Sequence, residues 1–138
     1  MKIILDTNFL IYCAKNKLDY REEIAKLINE GFDLVVPKQV MSELKMLRDD
    51  KWKKVSGKDK TAADLALKLL LHNNVEIVDI SGNKAGSDKS EGHSVDEAIV
   101  KLAESDSKNI VCTLDREMRH TLGRVILVNR FKKLMLTK

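Results

Sequence analysis

The chain has 138 residues, 43% hydrophobic and 33% charged with a single Pro, which predicts one ordered, helix-rich globular domain spanning 1–138 and excludes a disordered or low-complexity polypeptide. A formal charge of +4, from 25 basic and 21 acidic residues, is too mild to announce a nucleic-acid partner by itself. No apolar run is long enough to span a bilayer and Met1 leads directly into strand-like sequence, so no leader, no membrane contact and a cytoplasmic location are expected.

Ile3, Ile4 and Leu5 run without polar alternation, the pattern of a strand buried on both faces, and the run stops at Asp6. Phe9 to Ala14 continues as a helix with Thr7 as the expected cap, and a second helix begins near Asp19 and closes at Gly31. Leu34 to Val36 is a short buried strand, and Pro37 suits the first turn of the next helix, where Val40, Leu44 and Leu47 form the core stripe. A basic connector from Lys51 to Lys60 precedes a helix over Thr61 to His72, then a strand over Val75 to Val78. Asp79 to Gly92, rich in Gly, Ser and charge, reads as a loop. A helix over Ser94 to Glu104, a strand over Ile110 to Thr113, a helix over Asp115 to Leu122 and a strand over Val125 to Val128 follow. The tail from Asn129 adds a short edge segment or lies over the surface. Strands alternating with helices predict an α/β fold, a parallel sheet with helices on both faces. Cys13 and Cys112 lie in apolar segments without metal-knuckle spacing, so two buried free thiols are expected.

Four acids stand out, each with a structural alternative. Asp6 leaves a buried strand at the sheet edge where α/β proteins build sites, and it could equally cap the following helix. Glu43 falls on the shoulder of its helix's buried stripe, and could instead be a surface-edge acid paired with Lys38 or Lys45. Ser94 and Glu97 fit a capping box, which gives Glu97 a structural job and leaves Asp96 on the shoulder, where it also suits the helix dipole. Asp115 repeats the logic of Asp6 after the strand ending at Thr113. Pooled carboxylates raise one another's pKa unless a cation neutralises them, and without a His or Cys cluster that cation is hard: Mg²⁺ or Mn²⁺ rather than zinc.

Asp6-Thr7-Asn8, Ser42-Glu43-Leu44, Asp96 and Thr113-Leu114-Asp115-Arg116-Glu117, in this order and spacing, resemble the PIN-domain ribonucleases over nearly the whole chain. The likeness is greatest to short archaeal single-domain members, among them VapC-type toxins and relatives of rRNA-processing nucleases. The resemblance implies a three-layer α/β/α sandwich with a five-stranded parallel sheet in the order 3-2-1-4-5, a homodimer, and metal-dependent cleavage of single-stranded RNA leaving a 5′-phosphate and a 3′-hydroxyl. It puts Asp6, Glu43, Asp96 and Asp115 in the four catalytic, metal-binding places. Asn8 and Thr113 take the supporting polar places, and Glu117 a place often held by a further acid. The Gly/Ser-rich stretch before Asp96 is longer than in compact members.

An RNA substrate would need cations around the acids. Arg116, Arg119, Arg124 and Arg130 lie near the last two strand segments, and Lys51, Lys53, Lys54, Lys58 and Lys60 crowd the connector. Trp52 among those lysines either stacks a base or packs on the core. An antitoxin protein would be a further partner of a toxin. The chief alternative is a catalytically inactive RNA-binding or ribosome-assembly scaffold with the same fold. An aspartyl-phosphate phosphatase fits less well, since it wants a second Asp where Asn8 stands, and a response-regulator-like domain lacks paired acids in the first loop.

Overall fold

The computed structural model describes residues 1–51, 54–79 and 94–137. Its strands are β1 (Lys2–Leu5), β2 (Asp33–Pro37), β3 (Glu76–Val78), β4 (Ile110–Cys112), β5 (Val125–Val128) and β6 (Leu134–Leu136). Its helices are α1 (Thr7–Lys15), α2 (Tyr20–Leu27), α3 (Lys38–Arg48), α4 (Gly57–His72), α5 (Val95–Glu104) and α6 (Met118–Leu122). They build one mixed sheet in the order β3-β2-β1-β4-β5-β6, parallel except for β6.

Successive strand residues point to opposite faces, so burial of every residue in a run means both faces are covered. Ile3, Ile4 and Leu5, then Leu34, Val35 and Val36, then Ile110, Val111 and Cys112 all satisfy this. α1, α3 and α4 pack together, and α5 lies against β1, β2 and β4. Among the described residues no helix is long and apolar enough to cross a membrane. Cys13 and Cys112 are buried free thiols, and burial pushes both well above the ordinary thiol range.

The α/β class and the order 3-2-1-4-5 stand, but the sheet has six strands and is not wholly parallel. The tail turns at Asn129 and pairs Leu134, Met135 and Leu136 antiparallel with Val128, Leu127 and Ile126. Thr137 extends the pairing by donating its backbone N–H to the Val125 carbonyl. The Asp6 side chain, not Thr7, caps α1 by accepting the Thr7 N–H at 2.8 Å. Pro37 closes β2 and caps α3 from outside rather than lying in its first turn. α4 begins at Gly57 instead of Thr61 because Ser56 accepts the Asp59 N–H. α6 starts only at Met118, since Asp115 takes the Glu117 N–H onto its own side chain, a local bond that competes with helix. Most of the expected loop over 79–92 lies outside the described residues.

Candidate active site

Parallel strands finish on one edge, so whatever follows β1, β2, β4 and β5 is gathered there. The register sets Leu5 beside Cys112 and Cys112 beside Ile126, so Asp6 and Thr113 stand next to each other just past the ends of β1 and β4. Asp6 is 6% exposed and both its oxygens are engaged. Oδ1 accepts the Thr7 N–H, and Oδ2 accepts the Thr113 hydroxyl at 2.8 Å. That same Thr113 Oγ1 accepts the Asp115 N–H at 3.0 Å, so one fully buried hydroxyl ties the acid of β1 to the backbone of the segment after β4.

Burial lifts the pKa of Asp6 above its ordinary value of 3.8. The bonds from Thr113 and Thr7 oppose this rise, and the charges of Asp96 and Glu43 add to it. Their electrostatic influence places both acids near Asp6 although α3 and α5 are far apart in sequence. Glu43 is half-buried, one residue before the fully buried Leu44. Neither alternative ion pair forms among the described residues: Lys38 instead pairs with Asp79 at 3.6 Å. Asp96 is exposed in the first turn of α5 and lines a groove of about 380 Å³ with Glu97, Val100 and Lys101. The capping box is present as expected: Ser94 Oγ accepts the Glu97 N–H and Glu97 accepts the Ser94 N–H, which leaves Asp96 the uncommitted acid of that turn.

Asp115 is exposed, with Oδ1 committed to the Glu117 N–H at 2.9 Å. Asn8 and Glu117 are exposed at the same edge, one in the first turn of α1 and the other just ahead of α6. Among the described residues no three acidic, His or Cys side chains are already gathered closely enough to hold one metal ion. The structure therefore brings Asp6, Glu43 and Asp96 into mutual electrostatic reach and joins Asp115 to Asp6 through Thr113, without a closed ligand cage.

Arg116 and Arg119 are exposed in the segment that leaves β4. Arg124 precedes β5 and therefore sits at the opposite sheet edge, away from Asp6. Trp52 and Lys53 lie outside the described residues; Lys54 is exposed. The Lys15–Asp59 ion pair holds the start of α4, soon after Lys54, against the end of α1 remote from Asp6. One exposed residue at the site edge escaped the sequence reading. Phe131, in the β5–β6 turn, is 69% exposed, and the cations flanking it in sequence are the signal that would have found it.

With this geometry in hand, similarity to known proteins can be placed on it. Over 121 residues the chain is 36% identical to Ribonuclease VapC4 of Methanocaldococcus jannaschii, covering 88% of this chain and 82% of that protein. The structure of the PIN domain endonuclease Utp24 matches with a TM-score of 0.71 over 98% of this chain and 90% of that one, at 18% identity, which is a likeness of fold. A family model described as a PIN like domain matches residues 3–128, from β1 through β5 and including all four acids. The chain belongs to the PIN-domain family.

Proposed function

We propose that the chain is a divalent-metal-dependent endoribonuclease that cleaves single-stranded RNA by attack of an activated water, in the manner of a VapC-type nuclease. The observation that carries this reading is the placement of Asp6: a buried carboxylate with its charge disfavoured by burial and further opposed by Glu43 and Asp96. Such a site gains from a bound cation, and an all-oxygen donor set suits Mg²⁺ or Mn²⁺. Asp6, Asp96 and Asp115, with Glu43, would hold the metal. Identity to a protein named as a VapC ribonuclease favours that type over an rRNA-processing role.

When bound, the metal supplies a Lewis acid that lowers the pKa of water and stabilises charge on the phosphorane and the leaving 3′-oxygen. The chain's own residues do the positioning. Thr7 N–H and the Thr113 hydroxyl fix both oxygens of Asp6, so it cannot rotate away when ionised. Thr113 also fixes the backbone of Asp115, which couples two of the proposed ligands through one side chain. Arg116 and Arg119 supply cations for the RNA backbone, with Lys53, Lys54 and Trp52 as further proposed contacts and Asn8 and Glu117 as supporting polar groups. Buried free thiols are in keeping with a reducing, cytoplasmic setting.

The lack of a closed three-acid cage among the described residues favours a second reading, a catalytically silent RNA-binding scaffold. A fluorescent single-stranded RNA incubated with Mg²⁺, Mn²⁺ or EDTA separates the two. The nuclease reading requires cleavage with either metal and none with EDTA; binding without cleavage in all three establishes the scaffold. Growth arrest when the protein is expressed alone, relieved by a small protein encoded beside it, would mark a toxin with its antitoxin. Light scattering tests the expected homodimer.

A further inference from the structure

Sheet topology carries the tail of the chain back to the site. β5 is parallel to β1, so its carboxyl end and the turn that follows, Asn129 to Lys133, open on the edge that bears Asp6. β5 lies two strands from β1, about 10 Å sideways at the usual strand spacing.

The turn is tightly built. Asn129 Oδ1 accepts the N–H groups of Phe131 at 2.8 Å and Lys133 at 3.1 Å. The Asn129 N–H donates to the Lys133 carbonyl at 2.8 Å, and the Lys132 N–H to the Asn129 carbonyl at 2.9 Å. On this frame Phe131 stands 69% exposed, and the Arg130 guanidinium lies 5.3 Å from its ring centroid. A cation on the ring holds it in place through its quadrupole. Arg130, Lys132 and Lys133 are all exposed, so the only large apolar group in the turn is surrounded by positive charge.

An apolar partner surface gains nothing from three flanking cations, whereas a polyanion with flat bases matches both halves of the turn: phosphates to the cations, a base to the ring. We propose that the Arg130–Lys133 turn is a base-stacking platform that grips single-stranded RNA two strands away from Asp6 and leads the strand to the acids. The proposal rests on the ribonuclease reading for its substrate, and adds a contact that fixes which part of the RNA is held.

The test is fluorescence anisotropy of a labelled oligouridylate with full-length Asp6→Asn protein, and with the same protein also carrying Phe131→Ala, Phe131→Trp, or Lys132→Ser with Lys133→Ser. Loss of one stacked base should weaken binding roughly tenfold with an unchanged salt slope, and Trp should restore it. The double Lys variant should reduce the salt slope by about one. Thermal melting of each variant checks that the fold is kept, as expected for an exposed turn. Phe131→Ala protein that binds like its parent overturns the platform while leaving the ribonuclease reading intact. Failure of wild-type protein to cleave RNA, with Phe131-dependent binding retained, would refute the nuclease and keep the platform. Failure to bind RNA at all refutes both.

Discussion

Asp6 serves as helix cap and proposed ligand together because a carboxylate has two oxygens and neither bond to Thr7 or Thr113 uses all their lone pairs. Its raised pKa means the folded chain holds a proton here more readily than the unfolded chain does. That contribution to stability is fully present below the unfolded value of 3.8 and is lost as pH rises through the folded value. Asparagine keeps the shape, accepts the Thr7 N–H and can donate to Thr113 Oγ1, yet carries no charge. Metal-free Asp6→Asn should therefore melt at or above the wild-type temperature at pH 7, the gap closing below about pH 4, while cleavage falls at least a hundredfold. Thermal melts across pH and a gel-based cleavage assay check the two halves. Thr113→Val removes a bond that holds the Asp6 pKa down, so the acid limb of kcat/KM against pH should move to higher pH, with activity down about tenfold to a hundredfold. An acid at the end of an apolar run was readable from sequence. Its cap was not: Thr7 is an equally good capping residue, and the choice depends on where helical backbone begins.

At the level of single elements, legibility followed the locality of the forces. The α5 start was readable because a capping box is complete within four residues, Ser94 to Glu97. Ser94→Ala should cost about 1 kcal/mol in urea denaturation, and fraying of that turn should loosen Asp96 and weaken Mn²⁺ binding. Unchanged Mn²⁺ affinity in that variant would separate Asp96 from the metal. The late start of α6 was hidden because Asp115 diverts a backbone N–H to its side chain, a choice made only once Thr113 is anchored to Asp6. β6 was left open as an edge segment because Leu134-Met135-Leu136 has no alternation, and its pairing comes from β5 rather than from its own pattern. Phe131 was missed for the same reason: only the hairpin formed by β6 turns it toward the site edge.

Over the whole molecule, strand order turns separate sequence signals into one site. β1 and β4 are neighbours in the sheet although about a hundred residues apart in the chain, and that adjacency lets Thr113 reach Asp6. With acids pooled at one edge, the remaining surface of a chain of net charge +4 is more basic than the total suggests, which suits a polyanionic substrate. Nothing in the sequence states how far the four carboxylates stand apart in the metal-free fold, because that distance reflects their own repulsion. Direct titration with Mn²⁺, followed by electron paramagnetic resonance, addresses the point. Wild-type protein should bind the ion, and Asp6→Asn, Glu43→Gln, Asp96→Asn and Asp115→Asn should each weaken it by about tenfold or more. Wild-type affinity in all four variants, or no binding by the wild-type protein, would contradict a shared metal site.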